Sequence, residues 1–148
     1  MKQNLIFVVI LLVTLSMVNA IPYYQLDKRA TTFGPCPEGS LPILAVTLQP
    51  DPPVPGQNCT VTATGTIDSG INPGAILVAV ALDGAHNVIS SLASVDICSS
   101  GVTCPTTSLS VTTTFPVDAS LPAAYFISIA VMDENKAFVG CSYGAITG

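Results

Sequence analysis

The sequence predicts an all-β sandwich, and three observations carry that prediction. Period-two alternation of apolar and polar residues recurs along the chain, while a 3.6-residue period is hard to find. Seven apolar or alternating runs are separated at regular spacing by clusters of turn-forming residues. Only 9% of the 148 residues are charged, so Thr and Ser must fill the wet faces of the strands.

The runs are taken in chain order. Ile43–Gln49 is mostly apolar. In Asn58–Ile67 the odd positions are Cys, Val, Ala, Gly and Ile, and the even positions are Asn and Thr, so one face is buried and the other wet. Ala75–Asp83 (AILVAVALD) is apolar on both faces, and periodicity cannot orient it. Asn87–Val95 follows. In Ser108–Val117, Leu109, Val111, Phe115 and Val117 share a face opposite Ser108, Ser110, Thr112 and Thr114. Tyr125, Ile127, Ile129 and Val131 form a bulky row in the next run, and Lys136–Ile146 is the last. The breaks QPDPPVPGQ, DSGINPG, DGAHN, SSG, ASLPA and MDEN contain the Pro, Gly, Asn and Asp that end strands.

Residues 1–20 read as a secretory signal peptide. Lys2 opens it, an apolar run follows from Leu5 to Val13, and Val18 and Ala20 precede the expected cut. The run is short for a bilayer span. Residues 21–35 read as an exposed tail, in which the dibasic pair Lys28–Arg29 offers a processing protease an alternative cleavage point. Residues 36–148 form one domain, placed outside the cell or in the lumen of the secretory or vacuolar pathway. Loss of Lys2 leaves three basic against nine acidic side chains, −6, and a cut after Arg29 leaves one against eight, −7. Such a chain lacks the Lys/Arg clusters that nucleic acids and anionic membrane surfaces require.

Five cysteines, Cys36, Cys59, Cys98, Cys104 and Cys141, read as disulfides in a secreted chain. Two bonds and one leftover allow about fifteen arrangements. Spacing favours Cys98–Cys104. Cys36 and Cys141 lie near the ends of the domain, and joining them would leave Cys59 as a buried thiol on an apolar strand face.

The residues of catalysis are sparse. His86, in the turn DGAHN, is the sole histidine and reads as a solvated side chain. No second His and no Cys-x-x-Cys supports a metal or a cofactor. The acids fall mostly in turns, where capping is their ordinary role. No nucleophile elbow or phosphate loop is present, so a binding protein is expected rather than an enzyme. Asn58-Cys59-Thr60 is an N-glycosylation sequon on the wet face of its strand.

The stretch CSSGVTCP, then an alternating strand ending in FPV, then LPAAY, an apolar strand, DEN and a last cysteine in FVGCSYGAI resembles the ML lipid-recognition family. That family includes the Niemann–Pick type C sterol carrier, mite group 2 allergens and fungal phosphatidylglycerol/phosphatidylinositol transfer proteins. VTLQPDPPVPGQNCTVTATGTI looks most like the fungal branch. The resemblance spans about Cys36 to Ile146. It implies an immunoglobulin-like sandwich with an apolar cavity between the sheets, and the pairings Cys98–Cys104 and Cys36–Cys141. It also implies a monomeric carrier of a phospholipid or sterol that touches membranes transiently. Other members often carry a third disulfide near the second strand, where this chain has only Cys59.

Composition adds a softer argument. There is no Trp, and small apolar residues such as Ala63, Ala75, Ala79, Ala81 and Ala130 are frequent, which leaves room for a ligand or makes a thin core. Alternation then assigns Val61, Ala63, Val111, Phe115, Tyr125, Ile127, Ile129 and Val131 to the cavity lining. Val78 and Val80 are added from the strand that periodicity cannot orient. Two rival functions remain: an adhesive or structural sandwich with a solid core, and a module that presents lipid to a receptor.

Overall fold

The computed structural model describes residues 30–37 and 39–147. The expected signal peptide and the Lys28–Arg29 pair lie outside the described residues.

Among the described residues eight strands form: β1 Phe33–Gly34, β2 Ala45–Gln49, β3 Asn58–Ile71, β4 Ile76–Leu82, β5 Val88–Asp96, β6 Thr106–Pro116, β7 Ala124–Met132 and β8 Phe138–Thr147. They build two antiparallel sheets, one ordered β1-β8-β7-β4-β5 and the other β2-β3-β6. The all-β sandwich is as expected. The seven anticipated runs become β2 to β8, and β1, two residues long, is too short to show a period.

Strand β3 runs past the expected break at Asp68. Its pairing with β6 is regular from Asn58 to Thr66 and resumes at Ile71 after an irregularity. Gly70 sits within that irregularity at a φ of 87°, a conformation that glycine adopts without steric cost. Chain direction reverses only at Asn72–Pro73–Gly74.

The three-stranded sheet behaves as its alternation dictates. Cys59, Val61, Ala63 and Ile67 of β3 and Leu109, Val111 and Phe115 of β6 point inward and are buried. Thr60 and Thr62 point outward, and their hydroxyls bond those of Thr114 and Thr112 at 2.9 and 3.0 Å. Cross-strand Thr pairs of this kind stabilise a wet sheet face by a few tenths of a kcal/mol each, up to about 1. Asn58 lies exposed on this same face.

In the five-stranded sheet the inward row consists of Leu77, Ala79 and Ala81 of β4 and Tyr125, Ile127, Ile129 and Val131 of β7. β4 therefore turns Leu77 and its two alanines inward and Ile76, Val78, Val80 and Leu82 outward. This is the strand whose two apolar faces periodicity could not tell apart.

Bonds that cross between the sheets gather at one edge. The Ser142 hydroxyl donates to Leu44 O at 2.6 Å and accepts from Leu44 N at 2.9 Å. Cys141 N donates to Pro42 O at 3.0 Å. Gly140 makes this closeness achievable, since a Cβ there would stand 2.5 Å from Ile67 Cδ1 and 3.2 Å from Leu44 Cδ2. At the opposite edge β5 leaves one sheet and β6 enters the other. The disulfide Cys98–Cys104 clips that crossover loop, and Cys36–Cys141 ties the N-terminal segment to β8. Both pairings agree with the expectation, and Cys59 is left as a buried free thiol.

Candidate functional site

Two regions hold the residues singled out from the sequence. The first is the space between the sheets. Val61, Ala63, Val111, Phe115, Tyr125, Ile127, Ile129 and Val131 all face it, each between 0 and 4% exposed. A void large enough for water would leave accessible area on its walls, so at these residues the two faces meet without one. Ile127 and Ile129 stand opposite Ala81 and Ala79 in the sheet, bulky beside small.

This interior contains two polar groups close to one another, at the end capped by the Pro-rich loop. Cys59 Sγ lies 3.7 Å from Pro50 O. The Tyr125 hydroxyl is buried with no hydrogen-bond partner among the described residues. Burial pushes the Cys59 thiol up, and it does the same to the Tyr125 phenol, with the nearby thiol adding to the effect. An orphaned buried hydroxyl costs about 1–3 kcal/mol. It therefore marks the point between the sheets where a ligand's polar atom would bring the largest local gain.

The raised thiol has a testable consequence. In the unfolded chain Cys59 ionises around pH 8.5, whereas folded it holds its proton to higher pH. Stability from this group is therefore fully present below about pH 8.5 and declines as pH rises through the folded value. We expect unfolding free energy to fall between pH 8 and 10, and to fall less in Cys59→Ala. In the native protein at pH 8, Cys59 should resist a thiol reagent that labels one thiol per denatured chain. Prompt native labelling would contradict its placement.

The second region lies on the other side of the five-stranded sheet. Val78 and Val80 face outward there, on the face opposite the other eight residues, where they help to floor an open groove of about 500 Å³. Leu82, Ser128, Ala130 and Met132 complete the floor. Val88, Ser91, Ala93 and Ser94 of β5 form one wall, and Phe138 and Tyr143 of β8 the other, with Cys36 and Pro37 also lining it. Among the described residues no Asp, Glu, Lys or Arg lines the groove.

His86 also lines this groove, and nothing local to its turn signals it. The β4–β5 turn is wound tightly on Asp83, whose Oδ1 accepts from Ala85 N and Asn87 N at 2.8 Å each. These bonds hold the Asp83 carboxyl below the usual carboxylate range, the Asn87 backbone bond contributing most. The turn places His86 at a φ of 65°. Its ring, though exposed, meets Phe126 and Tyr143 edge-on at 5.9 and 5.5 Å, and those two rings stack at 4.8 Å. His86 is thus a packed side chain and not merely a solvated one. The capping role expected of the acids holds for Asp83, Asp96, Asp118 and Asp133, each of which accepts a backbone N–H in its turn. Asp51 instead binds Thr31. Among the described residues no cluster of His, Cys, Asp and Glu could hold a metal ion.

Comparison with known proteins places the chain. The family model described as "ML domain" matches residues 30–146. No curated protein matches. The fold is similar to the crystal structure of a Niemann–Pick type C2 protein from Japanese carpenter ant, with a TM-score of 0.60 and 16% identity over 78% of this chain and 97% of that one. A lesser similarity, TM-score 0.46 and 14% identity over 78% and 87% of the two chains, is to chicken MD-1 crystallised with lipid IVa. With its cysteine pairs, its two antiparallel sheets and the family match over nearly all the described residues, this chain belongs to the ML-domain family.

Proposed function

We propose that the protein is a secreted lipid carrier. It binds the apolar part of a phospholipid (phosphatidylinositol or phosphatidylglycerol) or of a sterol between its sheets and transfers it between membranes as a monomer. The observation that carries this reading, beside family membership, is the make-up of the inner faces. They are apolar throughout the central strands, with Ala79 and Ala81 of β4 beside Ile129 and Ile127 of β7. The cross-sheet bonds gather at the β2/β8 edge, so the sheets can part along the β5/β6 edge while that seam holds. Hydrocarbon entering the interior gains about 0.8 kcal/mol per CH₂ relative to water. Relative to a membrane the gain is small, and this near balance permits release as well as uptake. A head at the mouth would meet Thr, Ser and backbone amides. Glycosylation at Asn58, on the outer Thr face, would leave the interior untouched.

A second seat is favoured by one specific observation. The groove on the outer face is already open, is lined by no charged side chain among the described residues, and has a volume inside the range of about 300–1,000 Å³ common for small-ligand sites. Native mass spectrometry of the secreted protein, followed by lipid extraction, tests the function. A phospholipid bearing a photoreactive acyl chain tests the seat. Cross-links to Val61, Val111 or Ile127 would support the interior, and cross-links to Val78, Met132 or Phe138 the groove. A protein that arrives empty and takes up neither phospholipid nor sterol would make a solid adhesive sandwich the better account.

A further inference from the structure

We propose that the outer groove is a site for an uncharged lipid whose head is a single hydroxyl. That hydroxyl bonds the Tyr143 phenol beside His86, and the hydrocarbon runs toward Met132 and Phe138. The inference deepens the second seat proposed above and rests on it.

Three observations set this polarity. The first is an unanswered hydroxyl. Tyr143 lines the groove, and its phenol oxygen is buried with no hydrogen-bond partner among the described residues. Loss of hydration pushes the phenol above its ordinary range, so it stays a neutral O–H that can donate and accept. A buried polar group left unpaired is destabilising, and a ligand atom that pairs with it removes the penalty. The second is that the phenol is held in place without a ligand. Its ring stacks on Phe126 at 4.8 Å and meets the His86 ring edge-on at 5.5 Å. A group fixed in advance loses little freedom on binding. The third is the asymmetry of the groove. β4 runs from Ile76, paired with Met132, to Leu82, paired with Phe126, a length of about 20 Å. Tyr143 pairs with Ser128 toward the Leu82 end, and Phe138 pairs with Met132 at the other. One end thus offers a phenol and an imidazole, and the other two large apolar side chains.

Charge decides the kind of head. Among the described residues no Lys or Arg lines the groove. Lys136, the only Lys or Arg described, lies in the β7–β8 turn at the Phe138 end. Asp83 shares the turn of His86, and its carboxylate accepts from Ala85 N, Asn87 N and Asn87 Nδ2. Already bonded, it takes no part in holding a head, yet its charge opposes a phosphate or carboxylate at this end. A hydroxyl meets no such opposition. It donates and accepts at once, which suits a phenol and an imidazole nitrogen side by side.

Calorimetric titration of the folded protein with dodecanol, and with dodecanoate above neutral pH, provides the test. Dodecanol should bind the parent protein, and dodecanoate should bind it more weakly. Tyr143→Phe keeps the stacked ring and should weaken dodecanol about tenfold, the effect of one hydrogen bond. Without ligand the same variant should melt a few °C above the parent, because the orphaned hydroxyl is gone. Equal dodecanol affinity in parent and Tyr143→Phe, a preference for dodecanoate, or a lower melting temperature in Tyr143→Phe would each overturn the head assignment while leaving the groove a seat. Dodecanol that binds Val80→Asp as it binds the parent, or binds neither, would overturn the groove itself. The carrier reading would then stand or fall separately, on the interior and on the lipid extracted from the secreted protein.

Discussion

Replacing Cys36 and Cys141 together by Ser should lower the melting temperature by on the order of 15 °C. The bond spans 105 positions. In the chain-entropy account, freeing a loop of about 100 residues returns about 4.7 kcal/mol to the unfolded ensemble. A single domain has only about 5–15 kcal/mol to lose. The short Cys98–Cys104 loop spans 6 positions and should cost about half as much. The order of the two effects is the informative part, and calorimetric melts of both double variants measure it. A larger loss from the short loop would show that holding the β5–β6 crossover in place matters more than unfolded-chain entropy. The long bond has a local consequence too. Cys36 is tethered to β8 through Cys141, and both Cys36 and Pro37 line the groove. Opening it should loosen that rim as well as destabilise the domain.

The sequence was most readable where one face of a strand is wet. β3 and β6 carry Thr and Ser on alternate positions, and their inward rows lie where alternation put them. β7 was legible because its bulky row, Tyr125 to Val131, stands against a mixed one. β4 was not. Its outward residues, Ile76, Val78, Val80 and Leu82, are as apolar as Leu77 beside them, so no polar row marks the solvent side. Its pairing with β5 and β7 orients it, and the β7 partners lie some fifty positions away.

The outer groove was hidden for the same physical reason. Its walls come from four strands, one turn and the segment around Cys36, and no local pattern joins them. One hint was present. An antiparallel sandwich strand ordinarily shows a polar face to water, so an unbroken apolar run in a chain otherwise rich in Thr and Ser signals an outward face that is not simply solvated. His86 reads as merely solvated in the sequence because a turn histidine announces nothing about the rings it meets across the sheet. The short pairing of β1 with β8 lies beside the disulfide that joins Cys36 to Cys141, and two residues are too few for a periodicity to report.

The sharpest functional prediction sets two aspartates on opposite faces of one sheet. Ile129→Asp puts a carboxyl where exposure is 0%, between the sheets and opposite Ala79. Among the described residues no Lys, Arg or His is buried there to receive it. An unpaired buried carboxylate costs several kcal/mol even after relaxation, and escape by protonation still leaves an unsatisfied polar group. Added to the loss of Ile packing, this takes most or all of the stability available. The variant should therefore lack a folded circular dichroism spectrum, and its failure to bind lipid would say nothing about contact with lipid. Val80→Asp introduces the same group on the outer face, beside Ser128 and Ser91, where Val80 is only half-buried and water can reach the charge. That protein should fold, melt within a few °C of the parent, and carry a charge in the floor of the groove. If lipid uptake survives in folded Val80→Asp, the cargo lies between the sheets. If uptake falls tenfold or more while the fold stays intact, the groove is the seat, and the sheets need not part at all.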